Sequence, residues 1–135
     1  MYDAGLLITG AIAGAMMFFT AVVAPTAFRV LAVDQAGILV RRLFPVYYLI
    51  MAVAAALAAM LIGFDQPSAG RIMALVAALF MAKRVLLLPR MERHRAGREA
   101  GDEAATSAFR RLHGVSMVLN LAAGAAVLAA FVLAA

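Results

Sequence analysis

Ala24-Pro-Thr-Ala-Phe-Arg-Val-Leu-Ala-Val-Asp-Gln-Ala-Gly-Ile-Leu-Val-Arg-Arg-Leu-Phe-Pro45 is the stretch whose reading decides the fold. It is bracketed by prolines and carries the first cations of the chain, Arg29, Arg41 and Arg42. On its N-terminal side, Gly5 to Val23 is an uncharged apolar run. Such a run has roughly the 20 residues needed to cross about 30 Å of hydrocarbon at about 1.5 Å per residue. On its C-terminal side, Val46 to Phe64 is a second run of the same kind. The stretch is therefore a connection at the edge of a membrane, with its arginines where hydrocarbon gives way to water.

The rest of the chain repeats the arrangement. Asp65-Gln-Pro-Ser68 is a turn, because Pro67 cannot continue a helix and Ser68 can cap the next one. A third run, Ala69 to about Leu88, leads into a polar segment rich in Arg, Glu, Asp and Gly, and a fourth crosses from about Val115 to Leu133. The fold class that follows is all-α: a polytopic integral membrane protein built as a four-transmembrane-helix bundle. It forms a single membrane domain over residues 1–135, with helices at about 5–24, 46–64, 69–88 and 102–133 and cytoplasmic segments at about 25–45 and 89–112. Pro25 is expected to end or kink the first helix. Asp34 is expected to cap a short interfacial helix reaching Phe44, and Pro45 to open the second membrane helix.

Composition agrees. Apolar residues make up 67% of the chain and the mean hydropathy is +1.00. That share is well above the roughly 45–50% of soluble domains, so the excess has to face lipid. Cysteine is absent, which removes disulfides and thiolate metal sites. The N-terminus has no basic leader region, so the first run is read as a retained helix. The formal charge of +5 does not point to nucleic acid, because the cations cluster in loops. Membrane orientation and anionic lipid headgroups account for that clustering better than phosphate-backbone recognition.

Eleven of the twelve basic residues fall in or beside the two long connections, and Arg71 alone lies on the other side. By the positive-inside rule both connections are cytoplasmic and both termini extracytoplasmic, the topology of a multi-pass protein of a bacterial inner membrane.

Small residues mark expected helix contacts. Gly10 and Gly14 form a GxxxG pair, while Ala52, Ala56, Ala59 and Gly63 make a stripe on the second helix. Gly124 continues the His113, Ser116, Asn120 face of the fourth helix, residues spaced so that they share one side. That polar face has two readings. Ser116 and Asn120 could simply bond between helices while His113 sits at headgroup level, or the three could line a ligand site with His113 as a proton-transfer group or metal ligand. The metal candidates are His113 and Met117, a thioether being a soft ligand; methionine is also a general gap-filler. Arg29, Arg41 and Arg42 complete the ligand-binding candidates. Lys83 and Arg84, near the end of the third run, are the other candidates: snorkelling to the headgroups explains them, while a gate or anion contact needs an inward-facing cation, and adjacent residues about 100° apart leave room for one of the two. No nucleotide loop, paired carboxylates, zinc signature or Ser/His/Asp set can be assembled, and no cofactor is named by the residues.

Gly14-Ala-Met-Met-Phe-Phe19, Val23-Ala-Pro-Thr-Ala-Phe-Arg-Val-Leu31, Ala36-Gly37, Arg42-Leu-Phe-Pro-Val-Tyr-Tyr48, Leu88-Pro-Arg90 and Phe109-Arg-Arg-Leu-His-Gly-Val-Ser-Met-Val-Leu-Asn120 together resemble the transmembrane-protein-205-like family. The resemblance runs over most of the chain. It implies a four-helix integral membrane protein and supplies no settled reaction. Similar small bundles with a histidine near a helix end occur among copper-resistance membrane proteins and a haem-pathway oxidase, a likeness of fold that does not carry function.

The functional expectation is a non-enzymatic inner-membrane protein that binds or moves a small solute or metal ion through the bundle interior. Two alternatives stand beside it: an accessory subunit packing through small-residue faces, as a homo-oligomer or on a partner, and a haem-linked membrane oxidoreductase. The partner expected in every case is a bilayer with anionic headgroups, and none is nucleic acid.

Overall fold

The computed structural model describes all 135 residues, which are helical almost throughout and form no strand. Four helices, α1 (Tyr2–Val30), α2 (Val33–Gly63), α3 (Pro67–Glu99) and α4 (Glu103–Ala134), are each long and apolar enough to cross a membrane. The connections at 31–32, 64–66 and 100–102 are short, which makes sequential helices antiparallel neighbours. α1 packs on α2, α2 on α3 and α3 on α4, and α4 closes the ring against α1.

Three helices run further than their prolines led one to expect, α3 among them, which passes Pro89 and ends at Glu99 rather than at about 88. α1 passes through Pro25 and stops at Val30, and α2 begins at Val33 and continues through Pro45 without a break. Asp34 is not a cap: it lies inside the first turn of α2 and makes no capping hydrogen bond. A carboxylate there still faces the positive end of the helix dipole.

The way α1 accommodates Pro25 recurs in α3. In a regular helix the ring of Pro25 would press on the carbonyl of Ala21, and that of Pro89 on the carbonyl of Val85. Both carbonyls lie inside wide π turns, Phe19–Val23 and Lys83–Leu87. In each the hydrogen bond spans five residues, from the Ala24 N–H to the Phe19 carbonyl and from the Leu88 N–H to the Lys83 carbonyl. The wider turn moves the obstructing carbonyl aside and lets the helix continue. The two hairpins of the chain thus share a structural device.

The interior is lined by small and medium side chains. Ala55, Ala58 and Ile62 of α2, Met73, Val76 and Phe80 of α3, Ile12 of α1 and Val127 and Ala130 of α4 are buried together. Two helix backbones meet closely beside the α2–α3 turn, where a Cβ on Gly70 would stand 2.5 Å from the Cα of Gly63. Gly5 of α1 lies against Ile62 in the same layer. Among the expected contact residues, Ala52 is buried, Gly63 faces Gly70, Gly10 faces Phe131 and Gly124 faces Met16. Gly14 and Ala56 differ from expectation. Both are exposed, and a Cβ on Gly14 would meet nothing within 4 Å. Gly14 lies one turn past Gly10 on α1, but the helix it would need is absent from that side. On α2 the inward positions are Ala55 and Ala58, leaving Ala56 outside.

Large apolar side chains such as Leu7, Phe18, Leu75, Leu121 and Val132 are exposed around the outside. That is the surface of a chain solvated by lipid. At one end the helices carry the polar segments. There Arg41 of α2 and Arg95 of α3 each bring Nε to 3.1 Å from the Glu92 carboxylate, and the guanidinium groups of Arg95 and Arg98 lie over the Phe109 ring. Gly101, with φ of +84°, turns the chain into α4. The Asp102 carboxylate then caps that helix by accepting from the Ala104 N–H at 3.0 Å.

Candidate functional site

A lysine stands in the middle of the bundle. Lys83 is only 1% exposed, it is the one lysine of the chain, and all seven carboxylates lie outside the apolar runs. Counted along α3, it sits five residues before Leu88, about 7–8 Å inside the apolar segment. The π turn begins at this residue.

Three helices supply its surroundings. From α4, the Asn120 Oδ1 accepts from Lys83 Nζ at 3.4 Å. From α2, the Tyr48 ring lies under the ammonium, with Nζ 4.4 Å from its centroid. From α3 itself, the Phe80 ring is 5.7 Å away. Ser116, one turn before Asn120, shares a hydrogen bond of 3.3 Å with the Tyr48 hydroxyl. Behind these an aromatic layer of Phe19, Phe44, Tyr47, Tyr48 and Phe80 closes the floor, with Phe19 of the first π turn stacked on Tyr47 at 4.6 Å. Tyr47 contributes a buried hydroxyl that has no hydrogen-bond partner.

The donor count is out of balance. An ammonium carries three N–H donors, and here it has one acceptor at a distance near the upper end of the hydrogen-bond range. The aromatic face adds a cation–π contact, worth on the order of 1–2 kcal/mol when desolvated. A cation at membrane depth costs more than that, which is why such groups pair with an anion or line a polar path. No carboxylate of this chain is placed to do so: Glu92, nine positions on, is tied to Arg41 and Arg95. The arrangement can therefore receive a small anionic or strongly accepting group, with Asn120, Ser116 and the Tyr48 hydroxyl as further polar contacts.

Arg84 points elsewhere. Its Nε donates to the Pro45 carbonyl at 3.1 Å, fastening α3 to α2.

The expected site residues divide. Ser116 and Asn120 are half-buried and reach the Lys83 environment. His113 is exposed, as is Met117. Neither shares the buried face, and no group of three or more His, Cys, Asp or Glu is placed to hold a metal ion. Arg29, Arg41 and Arg42 are exposed at the polar end. Arg41 is engaged with Glu92, while Arg29 and Arg42 form no ion pair. Tyr48 is what the sequence reading missed, and Lys83, weighed there as a gate or anion contact, stands outside its ligand-binding set. One signal was available: the only lysine among twelve cations stands inside an apolar run that holds no acid.

Residues 7–100 match the family model described as Domain of unknown function (DUF4149). The match takes in α1, α2 and α3, including Tyr48 and Lys83, and ends before Ser116 and Asn120. No curated protein and no solved structure matches the chain. Because the matched segment is well over half of the 135 residues, this four-helix membrane protein belongs to the DUF4149 family.

Proposed function

We propose that the protein is a non-enzymatic membrane protein that binds a small acidic solute inside its bundle, with Lys83 as the central ligand. The observation that carries this reading is the buried Lys83 ammonium with its one long acceptor, Asn120, and no carboxylate. Tyr48 and Ser116 complete the polar surroundings, and Tyr47, whose buried hydroxyl has no partner, belongs to the same aromatic layer. The metal reading through His113 and Met117 has no such support, since both are exposed.

The same proposal includes orientation and kinship. With nine arginines at the polar end against Arg71 at the other, the positive-inside rule supports a cytoplasmic polar end and both termini outside, in a bacterial inner membrane. Lys83 then lies near the cytoplasmic leaflet. The transmembrane-protein-205-like resemblance belongs here as well, because two of the motifs that carry it, Arg42 to Tyr48 and Phe109 to Asn120, contain Tyr48, Ser116 and Asn120.

The test is chemical. Protein purified in a non-ionic detergent is stripped with organic solvent, and the released compounds are compared by negative-ion mass spectrometry between wild type and Lys83→Met. A carboxylate- or phosphate-bearing compound enriched roughly tenfold or more in the wild type is the expected result, the difference that one charge-assisted contact makes. Identical extracts would contradict it.

A further inference from the structure

Lys83 has a second boundary besides the polar interior. Between α3 and α4 runs a cleft of about 160 Å³, walled by Leu79, Leu86, Leu87 and Lys83 of α3 and by Leu119 of α4, with Arg90 at its polar end. The α3 members recur at helical spacing and so share one face. Leu86 is exposed, and Leu79 and Leu119 are half-buried, so the cleft opens sideways, towards lipid, over the apolar segment. Arg90 follows Lys83 by seven residues, about 10 Å along the axis, and is exposed.

Resting on the reading of Lys83 as an anion ligand, we infer that the ligand is a single-chain amphiphile with a carboxylate head that enters from the bilayer through this α3–α4 cleft. The charge pattern carries the choice. The mouth holds one exposed cation at the membrane edge and the depth holds a second, Lys83, with leucine walls between. An anionic head passes from Arg90 towards Lys83 while its hydrocarbon chain stays against leucine and lipid. A water-borne anion would have to cross those leucines without compensation. Size sets the head group. Pockets that enclose a whole small molecule run to about 300–1,000 Å³, so about 160 Å³ takes a carboxylate and its first methylenes and leaves the tail outside. Leu119 immediately precedes Asn120 on α4, so the wall of the cleft and the acceptor of Lys83 belong to one turn. The flexible four-carbon stem of lysine lets its ammonium exchange Asn120 for an incoming carboxylate without moving a helix.

The experiment measures binding by native mass spectrometry of the full chain in a non-ionic detergent. Oleate is the probe, with acetate, oleyl alcohol and phosphatidic acid as comparisons. Oleate is expected to bind saturably, roughly tenfold or more tighter than acetate and than oleyl alcohol, which isolates the contributions of tail and charge. Arg90→Gln, an exposed position, is expected to weaken oleate several-fold, and Leu119→Trp, which fills the cleft and leaves Lys83 in place, to abolish binding. Acetate binding as tightly as oleate would overturn the lateral route while leaving Lys83 as an anion ligand. Stronger binding of phosphatidic acid would overturn the single-chain carboxylate, and oleate binding unaffected by Leu119→Trp would overturn the cleft. Binding that survives Lys83→Met would overturn both this inference and the reading beneath it.

Discussion

The ammonium of Lys83 lies 4.4 Å from the centre of the Tyr48 ring, and the hydroxyl of that same tyrosine is held by Ser116 on α4. Three helices are thus joined around one charge, and the joint is made of polar contacts against a layer of aromatic rings. Such a layer is retained at a cost in stability, and removing the charge exposes that cost.

Lys83→Met is therefore expected to melt at or above the wild-type temperature in detergent. The substitution replaces a buried, uncompensated cation by an apolar chain of similar length, a gain on the order of 1 kcal/mol or more. Differential scanning of the two proteins checks it. A clear loss of stability would mean that Lys83 is a structural strut rather than a ligand kept for binding.

Gly70→Leu and Gly14→Leu are expected to separate. Bulk at Gly70 has to displace the backbone of Gly63, which costs about 1–3 kcal/mol or more for overpacking, while bulk at Gly14 meets open space and leaves the melting temperature unchanged. Destabilisation by Gly14→Leu would show that a second copy packs there.

How much of this was legible in the sequence differs from level to level. The four membrane helices followed from the length of apolar runs, because a bilayer imposes that length directly. The paths through Pro25 and Pro89 did not follow, because a proline rule counts the lost hydrogen bond and the ring clash but not the π turns that relieve the clash at Ala21 and Val85, and α2 carries Pro45 with no such turn. Ser116 and Asn120 share a face by spacing alone. That this face brings Asn120 to Lys83 while His113 stays exposed depends on the rotation of α3 relative to α4, and a wide turn at 83–87 changes that rotation without leaving a trace in hydropathy. Gly10 and Gly14 show the same limit: a GxxxG pair states that a close approach is allowed and not which neighbour makes it.

Pro89→Ala is expected to alter the site from a distance. Without the ring there is no clash at Val85 and the Lys83–Leu87 turn can tighten to regular α geometry, rotating Lys83 relative to Tyr48 and Asn120. As the chain has a single lysine, a membrane-permeant amine-reactive reagent reports on it alone once the N-terminal amine is blocked. Faster labelling than in wild type is the expected outcome, and unchanged labelling would show that the π turn persists without its proline.

On the proposed orientation, with the basic end of the bundle in the cytoplasm, a reporter active only in the cytoplasm is expected to be silent when fused after Ala135 and active when inserted after Gly101. Signal at Ala135 would invert the topology and place Lys83 in the opposite leaflet.

The most direct measurement of the central claim uses the same singularity of Lys83. In protein labelled only with ¹³C-lysine, the Cε–Hε correlation reports on one side chain, and it is followed in non-ionic detergent during titration with acetate and, separately, with oleate. A saturable shift with at least one carboxylate, absent with an uncharged amphiphile of the same length, is the result expected of an anion held at Lys83. A resonance that moves with neither carboxylate at any concentration would contradict it.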